Sequence, residues 1–144
     1  MIQRLGIIFL LLSLPASATE IVRQDGFEIQ IQPFPSTFLT RDIAQTYGFN
    51  RSRRQALINV VVLKIREDGR AHGAIPASVS GFSKNLIGQT QDLVFRKIDE
   101  GEGAIYYLAP IRVTSEELIR IALDVVPQGG AAIDIKFEHQ VYVD

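Results

Sequence analysis

Phe27, Ile29 and Ile31 fall on one side of an extended chain, and Glu28, Gln30 and Gln32 on the other. A period of two is the signature of a half-buried strand, and it recurs along the whole chain. Ile75, Ala77, Val79 and Gly81 share a phase against Ser78 and Ser80, and Leu93 and Phe95 oppose Asp92 and Arg96. Ile133, Ile135, Phe137, Val141 and Val143 hold one phase, with Asp134, Lys136, Glu138, Gln140 and Tyr142 opposite. Residues 56–63 and 104–113 are apolar almost throughout, as expected of central strands covered on both faces. A chain patterned this way must fold as sheet packed on sheet.

Turn chemistry separates the segments. Pro33 and Pro35 are expected to end the first strand, and Asp68-Gly69, Asn85 with Gly88, Gly101 with Gly103, and residues 127–130 mark later turns. Pro110, which cannot donate to a ladder, predicts a bulge or bend. One helix is expected near residues 40–47: Thr40 can cap it, Asp42 sits in the first turn, Ile43, Ala44 and Tyr47 share a face, and Gly48 can close it left-handed. Two turns cannot stand alone, so this helix must lean on the sheet. Residues 114–126 read two ways. Thr114 with Glu117 has the capping-box form of a helix start, yet Ile119, Ile121, Leu123 and Val125 alternate with Arg120, Ala122 and Asp124. Strand is favoured, because β-branched residues dominate. The sum is an all-β chain: an immunoglobulin-like antiparallel β-sandwich of about seven strands, with one short helix after the first.

The first eighteen residues follow other rules. Arg4 is their only charge, residues 5–14 are an apolar run, Pro15 breaks it, and Ala16-Ser17-Ala18 supplies small residues for a peptidase. The run is half of the roughly 20 residues a membrane-spanning helix needs. Residues 1–18 are therefore expected to be a signal peptide cleaved after Ala18, residues 19–25 a short leader, and residues 26–144 a single periplasmic domain. The chain has no Cys and its one Met is Met1, so neither a lipid anchor nor a disulfide is available and packing alone must hold the fold. After cleavage, 14 Lys and Arg face 16 Asp and Glu, a balance that argues against coating nucleic acid or anionic lipid. Charges such as Glu28, Arg96 and Lys136 opposite the core argue against a membrane barrel, so no integral membrane protein is expected after cleavage.

Few residues suggest chemistry. The sharpest cluster is Arg51, Arg53 and Arg54, with Arg41 nearby: guanidinium groups beside a short helix can hold a carboxylate or phosphate bidentately, or can simply be solvated. His72 is expected exposed in a turn and His139 half-buried on the last strand. Two histidines without Cys lack a zinc ligand set. There is no Gly-x-Ser-x-Gly, no Ser-x-x-Lys and no phosphate-cradling glycine loop. Asp99-Glu100 and Glu116-Glu117 fall at turns, where solvated acids are the ordinary reading. Tyr106 and Tyr107 point to opposite faces of one strand, so at most one is expected to face the core.

A set of ordered motifs resembles a bacterial family of exported proteins, domain of unknown function forty-four twenty-six. They are Ser36-Thr37-Phe38-Leu39-Thr40, Ala44 with Tyr47-Gly48, Arg51-Ser52, then Leu57, Asn59 and Val60. Asn85-Leu86-Ile87-Gly88-Gln89, Leu93 with Phe95, Glu100-Gly101, Ala104-Ile105-Tyr106-Tyr107, and Phe137 with Tyr142-Val143-Asp144 follow. Gly103 after Glu102 departs slightly in one turn. The resemblance implies a small periplasmic β-rich domain and assigns no catalytic or binding residue. Together these readings favour a non-catalytic domain that binds another envelope protein or component, without a cofactor. Small-anion binding through Arg41, Arg51, Arg53 and Arg54 is the first alternative, and an enzyme of unrecognised type the second. If the signal-peptide reading holds, the intact mass of the exported protein corresponds to a chain beginning at Thr19; a mass retaining Arg4 overturns it.

Overall fold

The computed structural model describes residues 19–114 and 116–141. The expected signal peptide, and the terminal Tyr142-Val143-Asp144 of the motif set, lie outside the described residues. The chain forms an all-β sandwich. Ten strands run β1 (Glu20–Gln24), β2 (Phe27–Pro35), β3 (Gln55–Ile65), β4 (Ala71–Ala74), β5 (Ala77–Asn85), β6 (Thr90–Leu93), β7 (Arg96–Gly101), β8 (Ala104–Arg112), β9 (Leu118–Pro127) and β10 (Ile133–Gln140). A 3-10 turn (Ser36–Phe38) and one helix, α1 (Arg41–Tyr47), lie between β2 and β3. One sheet has the order β1-β2-β3-β8-β7 with β4 paired to β3; the other is β10-β9-β5-β6. All pairings are antiparallel.

The strand count exceeds seven for three local reasons. Residues 20–24, expected within a leader, form β1: a mostly exposed edge strand needs no apolar alternation, so it left no pattern. The short β4 continues the place of β8 beside β3, with Ala74 N donating to Gly103 O. The stretch around Leu93 and Phe95 is two strands in different sheets, since β6 pairs with β5 and β7 with β8. Alternation is preserved across such a crossing, so sequence cannot reveal it. The helix accordingly follows the second strand. Residues 118–127 are strand, as favoured, yet Glu117 Oε2 accepts from Thr114 N at 3.1 Å. The capping-box contact forms around a single turn, which then enters β9.

The prolines behave differently from expectation. Pro33 does not end β2; it pairs in register with Ile58 of β3, and the strand runs on to Pro35, its last residue, which pairs with Ala56. Pro110 pairs with Leu57 without a bulge. The reason is shared. β1 covers β2 only as far as Ile31, and β7 covers β8 only as far as Leu108. Beyond those points each strand is a sheet edge, where a missing donor removes no ladder bond.

Two apolar layers meet on β3. Ile58, Val60 and Val62, with Ile29, Ile31, Tyr107 and Ile111, face Ile121, Leu123, Val125, Ile133 and Ile135 of the other sheet. The opposite face carries a smaller core: Phe34, Leu57, Ile98, Tyr106 and Leu108 pack beneath Leu39, Ala44 and Phe49. Both Tyr106 and Tyr107 are therefore buried, one in each layer, because the outer face of this sheet has its own cover. The helix is built as its sequence implies. Thr40 accepts from Ile43 N at 3.2 Å, and Gly48 takes φ 75. It is held down by Arg96 of β7, whose Nη1 donates to Tyr47 O at 2.6 Å and Gly48 O at 2.8 Å while its guanidinium stacks 5.1 Å over Phe49.

Gly81 is required by close packing: a Cβ there would collide with the Ala122 carbonyl oxygen and stand 2.9 Å from a Leu123 methyl. Gly81→Ala is expected to destabilise the domain by about 2 kcal/mol, as overpacking does, read as a lower midpoint in urea. An unchanged midpoint would mean that β5 and β9 do not approach as described.

Candidate functional site

One end of the sandwich is open. Arg54 immediately precedes β3, and Arg112 ends β8; the register pairs Arg112 with Gln55, one residue on from Arg54, and Val113 N donates to Arg54 O at 2.9 Å. Across from them stands the β5–β6 hairpin. Arg54, Asn85, Gly88, Gln89, Gln91 and Arg112 line a cleft of about 780 Å³, which Thr114 and Glu117 help to close. A shallower groove of about 400 Å³ continues along the open edge of β8, sharing Thr90, Gln91 and Arg112.

Local bonding fixes this cleft. Gln91 clamps the backbone of Arg112, donating to its carbonyl and accepting from its N–H at 2.8 Å each. The clamp replaces the ladder that β7 no longer supplies. The hairpin tip is closed by Asn85: Gly88 N donates to its carbonyl at 3.1 Å, Gln89 N to its Oδ1 at 2.9 Å, and its Nδ2 donates to Gln89 Oε1 at 2.9 Å. Between these bonds Leu86 and Ile87 are 69% and 80% exposed. Among the described residues, Glu117 is the one acid lining the cleft, and its Oε2 is engaged by Thr114 N. Among the described residues, neither the Arg54 nor the Arg112 guanidinium forms an ion pair. Two arginines that line a polar cleft without an acidic partner can offer guanidinium donors to a carboxylate or phosphate.

Of the arginines singled out by sequence, Arg54 lines this cleft. Arg51 is exposed and donates to Thr37 O at 3.3 Å. Arg53 is exposed in the turn before β3, and Arg41 is exposed at the start of α1. Arg112 was missed, because only the β3–β8 pairing brings it to Arg54. His72 is not simply exposed in a turn: it lies half-buried on β4, its Nε2 buried without a hydrogen-bond partner, beside Lys64, Arg66, Glu67 and Asp68. His139 is half-buried on β10 as expected. The two histidines occupy opposite ends of the sandwich, since His72 pairs with Lys64 at the far end of β3 while His139 pairs with Ile119, itself opposite Asn85.

Buried polar groups lie on the outer face of the larger sheet. Glu100, expected as a solvated turn acid, is buried at a bulge in β7 and accepts from Tyr47 Oη at 2.7 Å. Burial, and then the charge of Glu100, push the Tyr106 phenol up. Glu28 is buried, accepting from Arg23 Nε and Gln30 Nε2 at 2.8 Å each. Burial alone would raise its pKa, but the Gln30 and Arg23 hydrogen bonds and the Arg23 charge outweigh that and hold it below the usual value. Tyr47 and Glu100 tie α1 to β7 across the smaller core, away from the cleft.

The family model described as "Domain of unknown function (DUF4426)" matches residues 21–144. The chain belongs to the DUF4426 family. A crystal structure of a DUF4426 family protein from Pseudomonas aeruginosa PAO1 superposes with a TM-score of 0.76 at 28% identity, over 90% of this chain and 99% of that one. A copper-bound variant of FetP from uropathogenic Escherichia coli gives 0.65 at 13% identity, over 88% of this chain and 97% of that one. A copper-bound variant of Campylobacter jejuni P19 gives 0.59 at 10% identity, over 86% and 95%. At those identities FetP and P19 share the fold with this DUF4426 chain. No curated protein matches its sequence. Among the described residues, no helix is long and apolar enough to cross a membrane.

His139 and Glu28 are expected to give this DUF4426 domain a two-stage acid response. Burial lowers the His139 pKa below 6.5, so the unfolded chain takes up that proton first and stability declines as pH falls below about 6.5. Glu28, lowered from 4.5, contributes stability above that pH which is lost as pH falls through its folded value. His139→Gln is expected to flatten the first stage and leave the second, as read by urea midpoints between pH 7 and pH 4; an unaltered first stage would remove His139 as its source.

Proposed function

We propose that this chain is a periplasmic, non-catalytic binding domain of the cell envelope, and that it takes an anionic group of its ligand between Arg54 and Arg112. The observation that carries this reading is that two arginines, from just before β3 and from the end of β8, line one cleft whose single acid among the described residues is already engaged. Arg112 thus takes the place that sequence gave to Arg41, Arg51 and Arg53 in an anion site. A planar guanidinium offers paired donors that match carboxylate or phosphate oxygens. The signal-peptide pattern of residues 1–18 supports export. FetP, recombinantly expressed in the periplasm of Escherichia coli, folds in that compartment, which supports the reading by analogy of fold.

Copper, bound in the FetP and P19 structures, fits this chain poorly. The two histidines sit at opposite ends of the sandwich, the sequence has no Cys, and its one Met is Met1. Among the described residues, no three His, Asp or Glu side chains gather where one ion could reach them. Copper favours imidazole and sulfur ligands, so the proposed ligand is an anion instead.

Titration of the exported chain with inorganic phosphate and with acetate, followed by amide NMR, tests the site. Shifts are expected at Gln89, Gln91, Arg112 and Val113. Arg54→Ala and Arg112→Ala are each expected to weaken binding about tenfold, the worth of one charge-assisted hydrogen bond, while Arg41→Ala leaves it unchanged. Equal binding by all three variants, or no shifts at the cleft, overturns the assignment.

A further inference from the structure

Leu86 and Ile87 stand at the tip of the β5–β6 hairpin, 69% and 80% exposed. Turn formation does not call for them, because tight hairpin loops favour Asn, Asp and Gly at their centres. They are not free to fold back onto the sandwich either. The Asn85–Gln89 bonds lock both sides of the loop, and Gly88 adopts the positive φ that the closure needs. The chain therefore holds two branched aliphatic side chains out into water on a rigid support. Phe38, 41% exposed, lies at the same end, just past Pro35, which pairs with Ala56 near the start of β3.

The charge around this tip is positive. Arg54 and Arg112 line the cleft that Asn85, Gly88 and Gln89 of the hairpin also line. Arg51 donates to Thr37 O beside Phe38, and Arg53 is exposed in the turn before Arg54. Among the described residues, the nearby acids are Asp92, in the adjoining groove, and Glu116 and Glu117, the last held by Thr114 N. Aliphatic side chains at the outermost point with guanidinium groups set behind them is the order of a membrane-surface anchor: the apolar tip reaches the acyl boundary while the cations meet headgroup phosphates. The tip is convex and small. A protein partner would need on the order of 800 Å² per side with aromatic anchors at its centre, whereas a bilayer accepts a protruding tip without a preformed pocket.

We propose that the cleft end of the sandwich docks on anionic phospholipid bilayers, Leu86 and Ile87 entering the interface while Arg54 and Arg112 take headgroup phosphates. This rests on the anion reading of the cleft and names the source of the anion. Flotation of the exported chain with vesicles of phosphatidylglycerol and phosphatidylethanolamine, against vesicles of phosphatidylcholine, tests it. Binding to the anionic vesicles is expected, weakening as salt shortens the screening length, with little binding to phosphatidylcholine. The double variant Leu86→Ser with Ile87→Ser is expected to lower vesicle binding on the order of tenfold or more while free-phosphate shifts in the cleft persist. Arg54→Ala with Arg112→Ala is expected to lose both. Both pairs are exposed, and an unchanged thermal midpoint verifies that each variant is folded. Phosphate binding without vesicle binding overturns the membrane docking, leaves the tip to a protein partner and keeps the cleft assignment. Vesicle binding indifferent to Leu86 and Ile87 overturns the role of the tip.

Discussion

A chain with no sulfur cross-link must be held by burial, and in this protein burial is organised around one strand. β3 alternates between two apolar layers: Ile58, Val60 and Val62 face the opposite sheet, and Leu57 faces the layer beneath α1. Covering one face leaves the other exposed, so β3 requires the second sheet on one side and the 36–49 segment on the other. The ties that hold that segment follow from the requirement. Arg96 binds the last carbonyls of α1, where a cation is favoured, and Tyr47 reaches Glu100 across the smaller core. A seven-residue helix, too short to persist alone, becomes a lid fixed at its C-terminal end.

The sequence makes much of this legible, and the reasons differ by element. The two uninterrupted apolar runs identify β3 and β8 as central strands, because only strands buried on both faces can spare polar residues. The α1 caps are readable because Thr40 and Gly48 act locally. What escapes sequence is whatever depends on partners far along the chain. β1 lies at an edge and buries little, so it carries no pattern. The sheet change between β6 and β7 leaves the alternation of side chains intact. Glu100 looks like a solvated turn acid until the bulge in β7 turns it toward Tyr47. The cleft is the clearest case: Arg54 was visible within a run of arginines, but its partner Arg112 is set by strand register alone.

The site and the fold are thus coupled through one pairing. A one-residue slip of β8 along β3 would move Arg112 from its place opposite Gln55 and reverse which of the two tyrosines enters which core. Gln91 guards that register where β7 has ended. The same sandwich in FetP and P19 carries copper in their structures, while the two histidines of this chain stand at opposite ends of the sandwich.

Pro33, Pro35 and Pro110 stand where β2 and β8 lose their outer neighbours. A bare sheet edge normally invites a strand from another molecule, the first step toward runaway polymers. Here each such stretch is short of N–H groups, so a visiting strand would find gaps in the ladder. The arrangement leaves one end of the sandwich open without offering that opening as a template for its own copies.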